Sequence, residues 1–546
     1  MSFSPSSHPL RPLVVLLGLL VSILQLRAAP PWTSDQSDGT YRNPLLQVDF
    51  PDPDCIRISD TYYAVCSSFN LSPGLPLMRS SDLVNWRLVG HALPVLQPVD
   101  YFSKPHRGDG VWAPSLRHHA GRFWIYYPDP DFGIYLITSE HFEGPWSPPV
   151  LVKQGKGLID PCPLWDDDGR LYLIHGWAKS RAGIGNVLTL CELSTDGQTI
   201  IDQGRIIIDG DKLPGYRTLE GPKLYKKGDT YWVFAPAGGV PEGWQSVFRS
   251  KHIWGPYEDR IVLDQGKTKV NGPHQGAWVT TPDGSDWFLH FQDRDAFGRI
   301  PHLQPMRWRD DGWPVMGEDS DGDGRGQPVL THTKPHKGTA PLLSYPGTDD
   351  FDAATLSLQW QWECNPHGLT HSLSARPGFL RLYSQPAASI WDANNLLSQP
   401  VQGPASTTDL SLDSSHLAIG DRAGLVIMGR DYTWLELRRT ASGFDILRGE
   451  RLGNERLTQP NPERIIASSS CSSAQVVLRL QASDSDTWSL SFSIDGSPFK
   501  VLGPRFSQRK GWWLGARVGI FCIGSPSSSV SNGYLDADFF RVSAPE

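Results

Sequence analysis

Apolar and polar residues alternate along most of this chain in short runs, the period of half-buried β-strands rather than of helices. Five of these runs are rich in aromatics and each opens on a turn: Asp60-Thr61-Tyr62-Tyr63-Ala64-Val65, Gly121-Arg122-Phe123-Trp124-Ile125-Tyr126, Gly169-Arg170-Leu171-Tyr172-Leu173-Ile174, Gly228-Asp229-Thr230-Tyr231-Trp232-Val233 and Ser285-Asp286-Trp287-Phe288-Leu289-His290. They recur roughly every 50 to 60 residues, a spacing near that of propeller blades. A second series keeps the same phase, with turn-rich stretches at 80–86, 138–146, 194–197, 249–257 and 307–313. Each marks an outer hairpin, where the chain turns back at the surface. Both series are accounted for by a five-bladed β-propeller over residues 40–330; a sandwich of irregular hairpins is the alternative.

Residues 331–348 are polar and rich in Pro and Gly, and read as a linker. Beyond them, at 349–546, alternating runs such as Ala423–Met428, Val476–Leu480 and Trp488–Ser493 predict antiparallel strands of a β-sandwich. The fold class expected is therefore all-β. A chain of 546 residues also exceeds what one hydrophobic core usually supports.

The segment before each aromatic run should be the innermost strand of its blade, starting near the propeller axis. These segments read Pro51-Asp52-Pro53, Trp112-Ala113-Pro114, Ile159-Asp160-Pro161, Glu220-Gly221-Pro222 and His274-Gln275-Gly276. One Asp-Pro alone is an ordinary turn. Three carboxyls in register, Asp52, Asp160 and Glu220, predict an acidic pocket on the axis. Like charges brought together and desolvated push a pKa upward, which sets a neutral acid beside an ionised base. Glycoside hydrolysis uses that pair. Trp112 and Phe69 are placed to wall such a pocket, since aromatic faces suit the apolar face of a sugar ring; core packing is the competing role.

Charge and termini narrow the classes. The net charge of −8, without any basic run, argues against a nucleic-acid partner. Arg11, the apolar stretch Leu13–Leu24 and small residues near Ala28 read as a secretory signal over residues 1–28, implying an extracellular protein; a signal anchor is the alternative. No other stretch resembles a membrane span. Seven cysteines predict buried thiols with one or two bridges, and Asn70-Leu71-Ser72 is a glycosylation sequon. Asp319-Ser320-Asp321-Gly322-Asp323-Gly324 resembles the start of a calcium loop, but Leu330 stands where its closing glutamate would be, so a solvated acidic turn is the reading.

The ordered set Asn43-Pro44, Phe50-Pro51-Asp52-Pro53, Ile159-Asp160-Pro161 and Glu220-Gly221-Pro222 resembles glycoside hydrolase family 43 over residues 40–330. That family comprises inverting enzymes on five-bladed propellers that act on xylan and arabinan. The resemblance implies Asp52 as general base, Glu220 as general acid and Asp160 as the residue that orients the acid and tunes it. Arg299, in Gly298-Arg299-Ile300-Pro301-His302, looks like the family's substrate-binding arginine, with a surface salt bridge as the alternative. His274 falls where relatives place an axial histidine beside waters or calcium, at the substrate pocket; a satisfied core histidine is the alternative. Asp349-Asp350-Phe351, Leu358–Trp362 and Gly420–Leu425 look like the concanavalin-like sandwich attached to β-xylosidases of this family, with an independent carbohydrate-binding module as the alternative. By that resemblance Asp350 and Asp538 are the matches for a structural calcium site, and no other cofactor is implied. The function implied is a secreted, inverting exo-glycosidase acting on xylo-oligosaccharides or arabinose-substituted polysaccharide, foremost a β-1,4-xylosidase. The alternatives are an α-L-arabinofuranosidase and, from another class, a catalytically silent sugar-binding propeller.

Overall fold

The structure is a computed structural model that describes residues 32–336, 340–453, 461–483, 486–526 and 532–544. The expected signal segment, residues 1–28, lies outside the described residues. Five four-stranded antiparallel sheets form the five blades of a propeller. Their innermost strands are Asp54–Ile58, Ser115–His119, Leu158–Trp165, Lys223–Lys227 and His274–Thr280. Each is followed by one of the aromatic strands, Thr61–Val65, Arg122–Asp129, Leu171–Trp177, Thr230–Ala237 and Asp286–Asp293. Those aromatics fill the wedges between blades: Tyr63 and Phe123 pack with Phe142 between blades one and two, and Trp232 and Phe288 with Trp308 between four and five. The second landmark series lies between the third and fourth strands of every blade, as its turn chemistry requires.

The ring is closed outside the blades. Thr40–Arg42 pairs antiparallel with Thr331–Thr333. Asn43 then staples the entering chain: its Nδ2 donates to Leu303 O and Val329 O at 2.8 and 2.9 Å, and its Oδ1 accepts from Leu303 N at 2.9 Å.

From residue 349 the chain forms a sandwich of two eight-stranded sheets around an aliphatic and tryptophan-rich core. The sandwich docks on the propeller. Ser72 and Trp362 exchange backbone hydrogen bonds, the Asn365 side-chain amide donates to Leu96 O and accepts from Leu96 N, and Arg107 is ion-paired with Glu363. Phe297 of blade five is part of the sandwich core. Among the described residues no helix is long and apolar enough to cross a membrane.

One expectation is corrected. All seven cysteines are buried free thiols, so no bridge forms. The Asn70 sequon is 2% exposed, because its amide donates to Glu363 O at 2.8 Å and accepts from Gly108 N, facing the domain interface and not solvent.

Candidate active site

At four of the five axial corners the backbone turns through the left-handed region: Asp52 (φ 53°), Asp160 (φ 56°), Gly221 (φ 60°) and Gln275 (φ 35°). Asp160 and Gln275 sit at irregularities in the pairing of their strands, where a bulge re-aims side chains toward the axis. Such backbone is costly for residues other than glycine and clusters at functional sites. In blade four the corner is taken by Gly221, and the carboxyl is carried one residue earlier, on Glu220. Glu220 is therefore offset from Asp52 and Asp160, with a longer side chain to cover the step.

All three carboxyls line one cavity of about 230 Å³, together with Phe69, Trp112, Ala113, Ile159, Thr218, Val240, Pro241, His274, Gln275, Arg299 and Trp513. Asp52 is buried. Its Oδ1 accepts from Arg299 Nη1 at 2.7 Å and its Oδ2 from Ser67 Oγ at 2.5 Å. Arg299 is thus paired with a site carboxylate, not with a surface acid, and its guanidinium lies against Phe291 and Trp513 at 5.1 and 5.9 Å. Asp160 Oδ2 accepts from Gly221 N at 2.8 Å, which ties it to the backbone beside Glu220. Burial pushes the Asp160 carboxyl well above its ordinary value, and the charges of Glu220 and Asp52 push it in the same direction. Glu220 is the most open of the three, with 24% of its side chain exposed and Oε1 3.0 Å from His274 Nε2. His274 itself is buried, and its Nδ1 has no hydrogen-bond partner.

The aromatic wall has three members. Phe69 packs edge-on to Trp112 at 6.1 Å, and Trp112 meets Trp513 at 5.4 Å. The Trp112 indole is pinned by Nε1 donating to Gly108 O at 2.9 Å, while Arg181 lies over its ring at 5.5 Å. Trp513 belongs to the sandwich. Neither it nor Ser67 was singled out from sequence, and no local signal marks Trp513, because its role depends on docking of a distant domain.

The calcium expectation does not fit these residues. Asp350 is engaged by Arg541, whose Nε and Nη2 donate at 3.2 and 3.0 Å. Asp538 is exposed and accepts only a long contact from Ser411 at 3.4 Å. The two carboxylates are not gathered with a third ligand. Among the described residues the only such cluster is Asp319, Asp321 and Asp323, where Asp319 is occupied by the amides of Gly322 and Gly324 and by Arg307 and Arg309.

Comparison with known proteins agrees with this geometry. Residues 41–314 match the model of glycosyl hydrolases family 43, and residues 348–543 match the β-xylosidase C-terminal concanavalin A-like domain. A candidate β-xylosidase of Xylanibacter ruminicola is 38% identical, with 89% of this chain and 86% of that protein covered. A non-reducing end α-L-arabinofuranosidase of Bacteroides ovatus is 32% identical over 68% of each chain. The solved structure of the GH43 BlXynB protein from Bacillus licheniformis superposes with a TM-score of 0.79 at 27% identity, covering 93% of this chain and all of that one. A propeller with an axial acidic trio, joined to this sandwich and matched along both domains, belongs to glycoside hydrolase family 43, and the chain is a glycosyl hydrolase of that family.

Proposed function

We propose that this enzyme is an inverting exo-glycosidase that releases single terminal pentoses, foremost xylose from β-1,4-xylo-oligosaccharides. The observation that carries the reading is the cavity: about 230 Å³, lined by three carboxyls and by a tryptophan from the second domain. That volume is below the range typical for drug-sized ligands and suits one sugar ring. A pocket walled by that tryptophan takes a chain end and not the middle of a polymer.

In this mechanism Asp52 is the general base. Arg299 and Ser67 each hold one of its oxygens, so the carboxylate is oriented with lone pairs left for a water molecule. Glu220 is the general acid, the carboxyl with most access to the leaving oxygen. Asp160 does not touch the substrate in this scheme. Buried beside Glu220 and disfavoured as an anion, it makes the pair retain a proton, which Glu220 delivers as the glycosidic bond breaks. Water activated by Asp52 attacks from the opposite face, and the anomeric configuration inverts. Trp112, Phe69 and Trp513 supply apolar faces for the ring.

The α-L-arabinofuranosidase reading is supported by the Bacteroides ovatus relative, whose name carries that activity. The apolar start of the chain supports a secreted enzyme. Parallel assays with aryl β-D-xyloside and aryl α-L-arabinofuranoside decide the sugar: the proposal expects the xyloside to have the higher kcat/KM, and dominant arabinose release overturns it.

A further inference from the structure

Asp49 lies three residues before the base and belongs to none of the site roles above. Its two carboxylate oxygens face two different domains. Oδ1 accepts from the backbone N of Arg299 at 2.6 Å, and Oδ2 accepts from the backbone N of Gly515 at 2.8 Å. Arg299 is the residue whose guanidinium holds Asp52, and Gly515 is two positions beyond the pocket tryptophan Trp513. The joint has no slack. A Cβ on Gly515 would stand 2.7 Å from Gly298 N, and a Cβ on Gly298 would stand 2.3 Å from Asp49 Oδ1. Only glycines let the two backbones and the carboxylate meet.

The rest of the sandwich loop is stitched to the same blade-five hairpin. Lys510 is ion-paired with Asp293, and Ala516 N donates to Ala296 O at 2.6 Å. On the sandwich side Arg509 is paired with Asp431, and Arg430 lies over Trp512 at 4.3 Å. Between these fixed points Trp513 adopts φ 67°, a left-handed conformation unusual for a bulky residue, and it is still 37% exposed. Its own burial does not hold it there. The surrounding anchors do.

We infer that Asp49 is a positioning residue that sets, from one carboxylate, both the strand of the catalytic-site arginine and the sandwich-borne wall of the sugar pocket. The propeller's substrate affinity then depends on the second domain through a joint in which this one carboxylate is shared by both backbones. This inference rests on the reading of the cavity as a sugar site, but not on which pentose fills it.

The test is a double-mutant cycle in the full chain, measured on whichever aryl glycoside the wild type cleaves best. Asp49→Asn keeps the shape of the side chain and leaves it one acceptor oxygen, so it can satisfy only one of the two N–H groups. Gly515→Ala leaves Asp49 intact and disrupts the joint from the other domain. Each should raise KM about 5- to 20-fold and change kcat by less, the range expected for losing one well-made polar contact to a buried site. Each should add no more than about twofold to the KM of Trp513→Ala, because all act on one wall. Hydrogen exchange at 508–516 should quicken in Asp49→Asn while circular dichroism stays native. Effects that multiply with Trp513→Ala, or an unchanged KM in both folded joint variants, overturn the inference. A global loss of structure in both variants overturns it too, since the joint would then serve folding. An enzyme that cleaves neither aryl pentoside refutes the proposed function instead, and a cleavable substrate of another sugar leaves the cycle to be read as stated.

Discussion

Replacing Asp160 by Asn should make this enzyme more stable and less active at the same time, and the two effects come from one cause. The amide keeps the acceptor for Gly221 N and removes only the charge. Asp160 is raised above its ordinary value of 3.8 by burial first and by Glu220 second. A carboxyl raised in the folded state loses its proton later than in the unfolded chain, so its ionisation opposes folding from about pH 4 upward and has no effect below. Every tenfold gain in proton affinity on folding corresponds to about 1.4 kcal/mol. Relaxation around the site and sharing of the proton with Glu220 reduce the effective penalty, and about 2 kcal/mol at pH 7 is the expectation. In a domain of this size that corresponds to a rise of about 4 °C in the propeller's melting temperature. The assay is calorimetry of both proteins at pH 7.0 and at the lowest pH where both remain folded, with kcat measured alongside. The gain should shrink as pH falls toward 4, and kcat at pH 7 should drop by about 10²-fold or more as the acid loses its partner. A variant no more stable than wild type at pH 7, or a gain independent of pH, would refute the electrostatic account of the trio.

Other expectations follow from single residues. Glu220→Gln should lose about 10²–10⁴-fold in kcat on an unactivated disaccharide and much less on a substrate with an acidic phenol, which needs no protonation; equal losses on both would remove the acid role. Trp513→Ala should raise KM about tenfold through lost ring contact, with kcat nearly preserved, as steady-state kinetics on the aryl glycoside will show. Thiol titration of the unfolded chain without reductant should count seven reactive cysteines, and a count of five or fewer would contradict the free thiols of the fold.

The propeller was legible in the chain because the same strand, with the same turn before it, is written five times. Asp52 and Asp160 were legible for the same reason: an X-Pro corner repeats at the head of four of the five blades. Glu220 was placed in the right corner but one residue out of step, since only the backbone shows that Gly221, with φ 60°, holds the equivalent position. Features that depend on docking left no local trace. Trp513 reaches the pocket from more than two hundred residues beyond the last blade-five site residue, and Asn70 loses access to solvent because Glu363 of the sandwich covers it. Asp350 and Asp538 matched a pattern of acidic residues, but Arg541 sits within reach of Asp350 and neutralises it.

The central claim, that Asp52 activates water while Glu220 protonates the leaving oxygen, is tested most directly by proton NMR of the first sugar released. From an aryl β-D-xyloside the account predicts α-xylose as the initial product, with the β-anomer appearing only by later mutarotation. Initial release of β-xylose would contradict it and would require a carboxylate of the trio to attack carbon instead.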